Sequence, residues 1–176
     1  MKRTRLSWDQ LFMGMAAMLG QRTSCLHYQI GCVFVDDLHR IVTVGYNGSP
    51  RGDVNCLEIG CAKLEVNPAT GRAGRCRGAH SEINAIINCV HPERLRGSTL
   101  YVTHSPCHAC MKALVQTGVR TILYQDEYLR LAPSGEQERE DDAWELAERM
   151  GLGVYRHRPD TDTRVAVTPG GGDQCT

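Results

Sequence analysis

Ser105-Pro106-Cys107-His108-Ala109-Cys110 sets two cysteines three positions apart directly after a proline. An i, i+3 pair falls on one face of a helix, here its first turn, and the positive end of the helix dipole favours thiolate over thiol. Two thiolates side by side are half of a metal site. Alone, the pattern also suits a redox pair, half of a zinc ribbon or two buried thiols. The other half is offered by His80-Ser81-Glu82, which opens the run Ile83, Ile86, Ile87, Val90 at i, i+3, i+4, i+7 spacing, the mark of a helix with one buried face. His80 then stands at a second helix start. One imidazole and two thiolates leave a tetrahedral zinc one open corner, the arrangement of catalytic rather than structural zinc. Glu82, two residues from the expected ligand His80, can reach a water in that corner without binding the ion.

The chain has 176 residues, zero formal net charge and a pI near 7.0. That is enough for one domain with a proper core. No basic block occurs, so no nucleic-acid polymer is expected as partner. No apolar run approaches the ~20 residues of a membrane span. The basic start Met1-Lys2-Arg3-Thr4-Arg5 is followed too soon by Asp9 and Gln10 to be a signal peptide. A cytoplasmic location is expected, that of the host if the source is a phage. Nine cysteines in a reducing compartment suggest metal rather than disulfides.

Around the two motifs the chain alternates helix and strand. Ser7 and Gln10 form a capping box for a helix with Leu11, Met15, Met18 and Leu19 as its inner stripe. Residues 29–35 and 41–46 read as a hairpin about Asp36-Asp37-Leu38-His39, both strands apolar enough to be covered on both faces. Gly45 to Gly52 breaks the strand. Residues 53–78 read as irregular and hold Cys56, Cys61 and Cys76; with Cys25 they suggest a second metal tie. Strands are expected at 99–103, 119–124 and 154–155. Helices are expected at 80–91, at 107–117 ended by Gly118, and at 143–150, the last preceded by a polar loop at 133–142. This pattern predicts an α/β domain over 1–158, with a five-stranded mixed sheet flanked by helices, and a mobile tail over 159–176. Both metal-binding segments then sit at helix N-termini on one side of the sheet.

With those residues in place, the chain resembles the deoxycytidylate (dCMP) deaminases of the cytidine/deoxycytidylate deaminase superfamily, phage and bacterial members especially. H-x-E followed by P-C-x-x-C is the zinc signature of nucleobase deaminases. Gly45-Tyr46-Asn47-Gly48-Ser49-Pro50, Ser7-Trp8-Asp9 with Phe12-Met13, Arg22-Thr23-Ser24-Cys25, and Gln116-Thr117-Gly118-Val119 narrow it to the deoxycytidylate branch. The resemblance spans about 7–157. It implies a three-layer α/β/α sandwich of the cytidine-deaminase type and zinc-dependent hydrolysis of dCMP to dUMP and ammonia, supplying dUMP for thymidylate synthesis. It places zinc on His80, Cys107 and Cys110, proton transfer on Glu82, and substrate contacts on Arg22, Ser24, Asn47, Ser105 and Tyr128. It further implies a homo-oligomer, commonly a hexamer, activated by dCTP and inhibited by dTTP. The effector, with Mg, would bind at Gly45, Tyr46, Asn47, Gly48, Pro50 and Gly52. The cysteine-rich loop resembles that of members with a second, structural zinc, for which Cys25, Cys56, Cys61 and Cys76 are the candidate ligands. Ser81 stands where the family usually has alanine, and its hydroxyl is expected to bear on contacts to the pyrimidine. The alternatives are a deaminase that also accepts dCTP or 5-modified dCMP, and a non-catalytic zinc-stabilised nucleotide-binding module. A tRNA adenosine deaminase is disfavoured by the neutral charge, and a non-catalytic module has no use for Glu82.

Overall fold

The computed structural model describes residues 4–131 and 137–168, the side chains of 131 and 137–139 excepted. The first helix, α1 (Trp8–Gly20), starts as expected: Ser7 Oγ accepts from Gln10 N at 3.0 Å, and the Gln10 side chain accepts from Ser7 N at 3.0 Å. Such a cap contributes about 1 kcal/mol. Its buried face is Phe12, Met13, Ala16 and Gly20, while Leu11 and Met18 of the expected stripe are exposed. Small residues decide this register. A Cβ on Gly31 would lie 2.1 Å from Ala16 O and 2.5 Å from Gly20 N, so α1 packs backbone to backbone on the strand that begins there.

That strand is β1 (Gly31–Val35), followed by β2 (Ile41–Tyr46), β5 (Thr99–His104), β6 (Thr121–Asp126), β9 (Gly153–Arg158) and β10 (Thr163–Ala166) in the main sheet. Their spatial order is β10-β9-β6-β5-β1-β2, with β5–β6 and β6–β9 parallel and the other pairs antiparallel. The short α2 (Cys56–Ile59), a 3₁₀ turn at Ala62–Leu64 and the hairpin β3 (Val66–Asn67) with β4 (Arg72–Ala73) order the segment expected to be irregular. A second small hairpin pairs β7 (Leu129–Leu131) with β8 (Gln137–Arg139); residues 132–136, which include 133–136 of the expected 133–142 loop, lie outside the described residues.

The sheet separates two cores, as side chains alternate along each strand. Phe12, Met13 and Ala16 of α1 pack with Val33, Val35, Tyr101 and Leu123 on one face. The other face packs Phe34, Leu100, Val102, Ile122 and Tyr124 beneath three helices: α3 (Ser81–Ile87), α4 (His108–Thr117) and α5 (Asp141–Arg149). This is a three-layer α/β/α sandwich with six strands rather than five.

The sixth strand is β10, within the stretch expected to be a mobile tail. It pairs with β9 from Thr163↔Arg158 to Ala166↔Tyr155. Arg164 ties it to α1, with Nε 2.6 Å and a terminal nitrogen 2.7 Å from the Asp9 carboxylate. Thr168 is buried, donating to Leu152 O and accepting from Val154 N. Residues 169–176 lie outside the described residues. At the opposite edge, β2 is largely exposed rather than covered on both faces, and Ile87 and Val90 at the far end of α3 are exposed as well. No helix among the described residues is long and apolar enough to cross a membrane.

Gly45 fixes how α3 sits on β2. A Cβ there would lie 2.3 Å from Ser81 O and 2.7 Å from Ala85 N, so the N-terminal turn of α3 rests directly on strand backbone. Thr43 Oγ1 donates to Ala85 O at 2.9 Å and Asn84 Nδ2 to Tyr46 O at 2.9 Å, one bond on either side of the contact. Gly45→Ala is therefore expected to destabilise the fold by about 1–3 kcal/mol through overpacking. Urea titration checks this; an unchanged midpoint would show that α3 is free to shift.

Candidate metal and active site

His80 is the N-cap residue of α3 and Cys107 that of α4, and neither uses its side chain for capping. Both side chains are therefore available beyond the helix ends. His80 Nδ1 lies 3.4 Å from Cys107 Sγ and 3.3 Å from Cys110 Sγ, and the three donor atoms lie within 4.8 Å of one another. Two donors on a tetrahedral zinc, with Zn–S ~2.3 Å and Zn–N ~2.0 Å, stand about 3.5 Å apart. The nitrogen-to-sulfur spacings match that value, and one nitrogen with two sulfurs is a set zinc favours. No other group of His, Cys, Asp or Glu among the described residues comes so close together.

The electrostatics of this corner fit a cation. A hydrogen bond with Cys110, opposed by burial and helped by His80, pulls the Cys107 thiol down to about 4. Cys110 is pushed up by its hydrogen bond with Cys107 and by burial. The hydrogen bond with Cys107 raises His80, against burial and the Lys63 charge. Burial also raises Glu82, which is 3% exposed. Several anionic groups are thus crowded where water screens them poorly, and they share protons. A divalent ion there removes the need for protons on either sulfur.

Ser81 departs from the expectation drawn for it. It is fully buried, does not border the cavity beside the metal corner, and donates from Oγ to Glu82 Oε2 at 2.8 Å. Its hydroxyl holds the carboxylate rather than facing a pyrimidine.

That cavity encloses about 250 Å³, with Glu82 and Cys107 in its wall. Tyr28 and Tyr128 stand together in another wall, ring centroids 5.1 Å apart, with Tyr128 6.3 Å from the His80 ring. Ser105 Oγ accepts from Tyr128 N at 2.8 Å, and Tyr28 Oη donates to Leu129 O at 2.7 Å. Asn47 borders the cavity, but its amide is committed: Oδ1 accepts from Ile30 N and Nδ2 donates to Tyr28 O, both at 2.9 Å. It clamps the 28–30 segment. Ser24 borders the same cavity and accepts from Ser49 N.

Other expected site residues lie elsewhere. Arg22 is exposed and borders a neighbouring groove of about 220 Å³, together with Tyr46. Gly45 is buried beneath α3 and borders neither space. Pro50 and Gly52 belong to an exposed turn outside both. Gly48 borders both. Cys25, Cys56, Cys61 and Cys76 all border the cavity beside Glu82, yet do not form a metal-sized cluster. The described cysteines are free thiols. The cavity also has Tyr28, His27 and Lys63 in its walls, which sequence reading missed: they lie in segments without periodicity, so only the fold brings them to the metal corner.

The family model for the cytidine and deoxycytidylate deaminase zinc-binding region matches residues 6–126. A deoxycytidylate deaminase of Mycobacterium phage D29 is 36% identical over 128 residues, covering 70% of this chain and 98% of that protein. ComE operon protein 2 of Bacillus subtilis is 36% identical over 125 residues, 70% of this chain; the match spans only 62% of that relative's length. Among solved structures, the dCMP deaminase of cyanophage S-TIM5 in complex with dCMP and dUMP superposes with a TM-score of 0.63 at 25% identity, covering 88% of this chain and 99% of that one.

Two substitutions test the geometry. Cys107→Ser is expected to bring bound zinc well below one per chain by elemental analysis, with far-UV circular dichroism retained. Ser81→Ala is expected to keep zinc and to cut turnover roughly ten- to a hundredfold, the value of one hydrogen bond to a charged group.

Proposed function

This chain belongs to the family defined by the cytidine and deoxycytidylate deaminase zinc-binding region, and from that premise we propose that it hydrolyses dCMP to dUMP and ammonia. The observation that carries the reading is the meeting of His80, Cys107 and Cys110 beside a buried Glu82, with His80, Cys107 and Glu82 in the wall of one cavity that also has aromatic rings in it. A structural zinc site has no need of a carboxylate in that position.

Zinc, when held by His80, Cys107 and Cys110, supplies Lewis acidity that lowers the pKa of a water from ~15.7 towards ~7. Glu82 is the proton carrier. Its carboxylate takes a proton from the attacking water and passes it to N3 of the cytosine ring, then takes the second proton from the hydroxyl left on C4 and passes it to the amine leaving that carbon. Burial raises the affinity of Glu82 for a proton, which suits a group that must accept and return it, work worth ~10²–10⁴-fold. Ser81 keeps the carboxylate from turning away. Tyr128, braced by Ser105 and Tyr28, gives the pyrimidine a flat wall beside His80. The balance is one water consumed and one ammonia released.

Regulation belongs to the same reading. We propose dCTP as activator and dTTP as inhibitor, each with Mg, for the groove that two of the expected effector residues, Tyr46 and Gly48, border with Arg22; it shares Ser24, Gly48 and Ser49 with the cavity beside Glu82. A homo-oligomer, with a hexamer as the expected size, is supported by exposed apolar residues at one edge: Ile41, Val44 and Tyr46 on β2, Ile87 and Val90 by α3. A second zinc on Cys25, Cys56, Cys61 and Cys76 would require those thiols to close in around it. We place the enzyme in the cytoplasm, where thiols stay reduced.

Glu82→Ala is expected to lose ~10²–10⁴-fold in ammonia release from dCMP while retaining zinc; near wild-type turnover would refute the mechanism. Rates of dCMP turnover are expected to rise sigmoidally with substrate and to become hyperbolic with dCTP. Curves already hyperbolic and indifferent to dCTP and dTTP would remove the regulatory part.

A further inference from the structure

We infer that Lys63, carried on the cysteine-rich loop, is the cation that reads the substrate's 5′-phosphate and so separates a nucleotide from a nucleoside. The inference rests on the proposed dCMP reaction and names the residue that would give it its specificity. Among the described residues, the cavity beside Glu82 and the metal corner has one Lys or Arg in its wall, which is Lys63. Arg22, the one cation among the residues that family resemblance offers for substrate contact, opens onto the neighbouring groove instead. With the reacting carbon of cytosine held at the metal corner, sugar and phosphate extend towards the walls built from the loops. A dianion enclosed among cysteine sulfurs and aromatic rings needs a counter-charge, and Lys63 is a permanent cation placed to supply it.

The loop holds this side chain in place. Lys63 is the middle residue of the 3₁₀ turn Ala62–Leu64, in which Leu64 N donates to Cys61 O and Glu65 N to Ala62 O. Ala62 is buried, and a Cβ on Gly74 would lie 2.5 Å from Ala62 O, so the segment after the β3–β4 hairpin lies directly on the turn. Gly74 N donates to Glu65 O at 3.0 Å. Arg77 spans the same segment, with one terminal nitrogen 3.1 Å from Gly60 O and the other 3.5 Å from the Glu65 carboxylate. The nearest acid along the chain is thereby occupied by Arg77, and Lys63 makes no ion pair or hydrogen bond among the described residues. Its charge is free for a ligand. It is half-buried, which limits the screening that weakens exposed pairs. His27, in the same cavity wall, offers a second N–H.

The test compares dCMP with deoxycytidine on wild type, Lys63→Gln and Lys63→Arg, with zinc content and thermal melting measured on each. For Lys63→Gln, kcat/KM for dCMP is expected to fall roughly ten- to a hundredfold, the loss of one charge-assisted contact. The fall should reside mainly in KM and be at least ten times larger than any change with deoxycytidine. Lys63→Arg should recover most of it, and added salt should raise the wild-type KM for dCMP but not that for deoxycytidine. If wild type prefers dCMP and Lys63→Gln keeps that preference, this inference fails and the dCMP reading stands. If Lys63→Gln loses both substrates equally, or loses zinc, Lys63 is structural and the inference also fails. A wild type that turns over deoxycytidine as well as dCMP overturns the nucleotide reading itself, and the role of Lys63 with it.

Discussion

At Gly45 the strand β2 has no side chain, and the backbone of α3 occupies the space one would take. This contact sets the height of α3 above the sheet, and with it the height of His80, the residue that caps that helix. Cys107 and Cys110 are positioned separately, by β5 and the first turn of α4. Three donor atoms from two unconnected helix starts come within bonding distance of one ion only if both helices lie at the same depth. Thr43 and Asn84 bond across the β2–α3 contact and resist its opening. The glycine that resemblance assigned to an effector is thus a packing residue, and the metal corner depends on it.

The corner concentrates negative charge in a buried place. Cys107 is pulled down and Cys110 pushed up because the two sulfurs share a proton, and Glu82 is raised by the same scarcity of water. Left to themselves, such groups neutralise by taking protons. A zinc ion removes that necessity for the sulfurs but not for Glu82, which is not among the ligand donors. One buried carboxylate then remains as the group able to exchange a proton beside the metal. Ligands and proton carrier are distinguished by this difference in charge compensation more than by their position along the chain.

Features fixed by local physics were legible in the sequence. The capping box of Ser7 and Gln10, the continuous apolar runs of β1 and β5, the C-cap glycine at Gly118 and the Pro-Cys-x-x-Cys helix start each depend on neighbours within a few residues. Features that depend on distant partners were not. β10 reads as a tail because its anchor, Asp9, lies 155 residues from Arg164. The inner face of α1 is set by a close approach to Gly31 that no periodicity reveals. Ile87 and Val90 repeat at helical spacing yet are exposed, because α3 ends at Ile87 and lies on an edge strand. Ser81 was placed on the substrate side because the sequence gives its neighbour but not its direction.

The same division separates chemistry from selectivity. The metal ligands, Glu82 and Ser81 sit at the ends of packed elements, where a displacement costs core contacts. The remaining walls of the cavity come from the 24–30 segment, the 47–49 loop, the cysteine-rich loop and Tyr128, none of them in the main sheet. Asn47 spends both ends of its amide holding one of these segments, and Arg77 both ends of its guanidinium holding another. Loops so clamped present fixed groups to a substrate without ordering costs at the moment of binding. They also change in sequence without disturbing the sheet. On the proposed reading, one reaction is kept at the metal corner and the choice of substrate is set in the loops, which is where Lys63, the one Lys or Arg among the described residues of the cavity wall, stands.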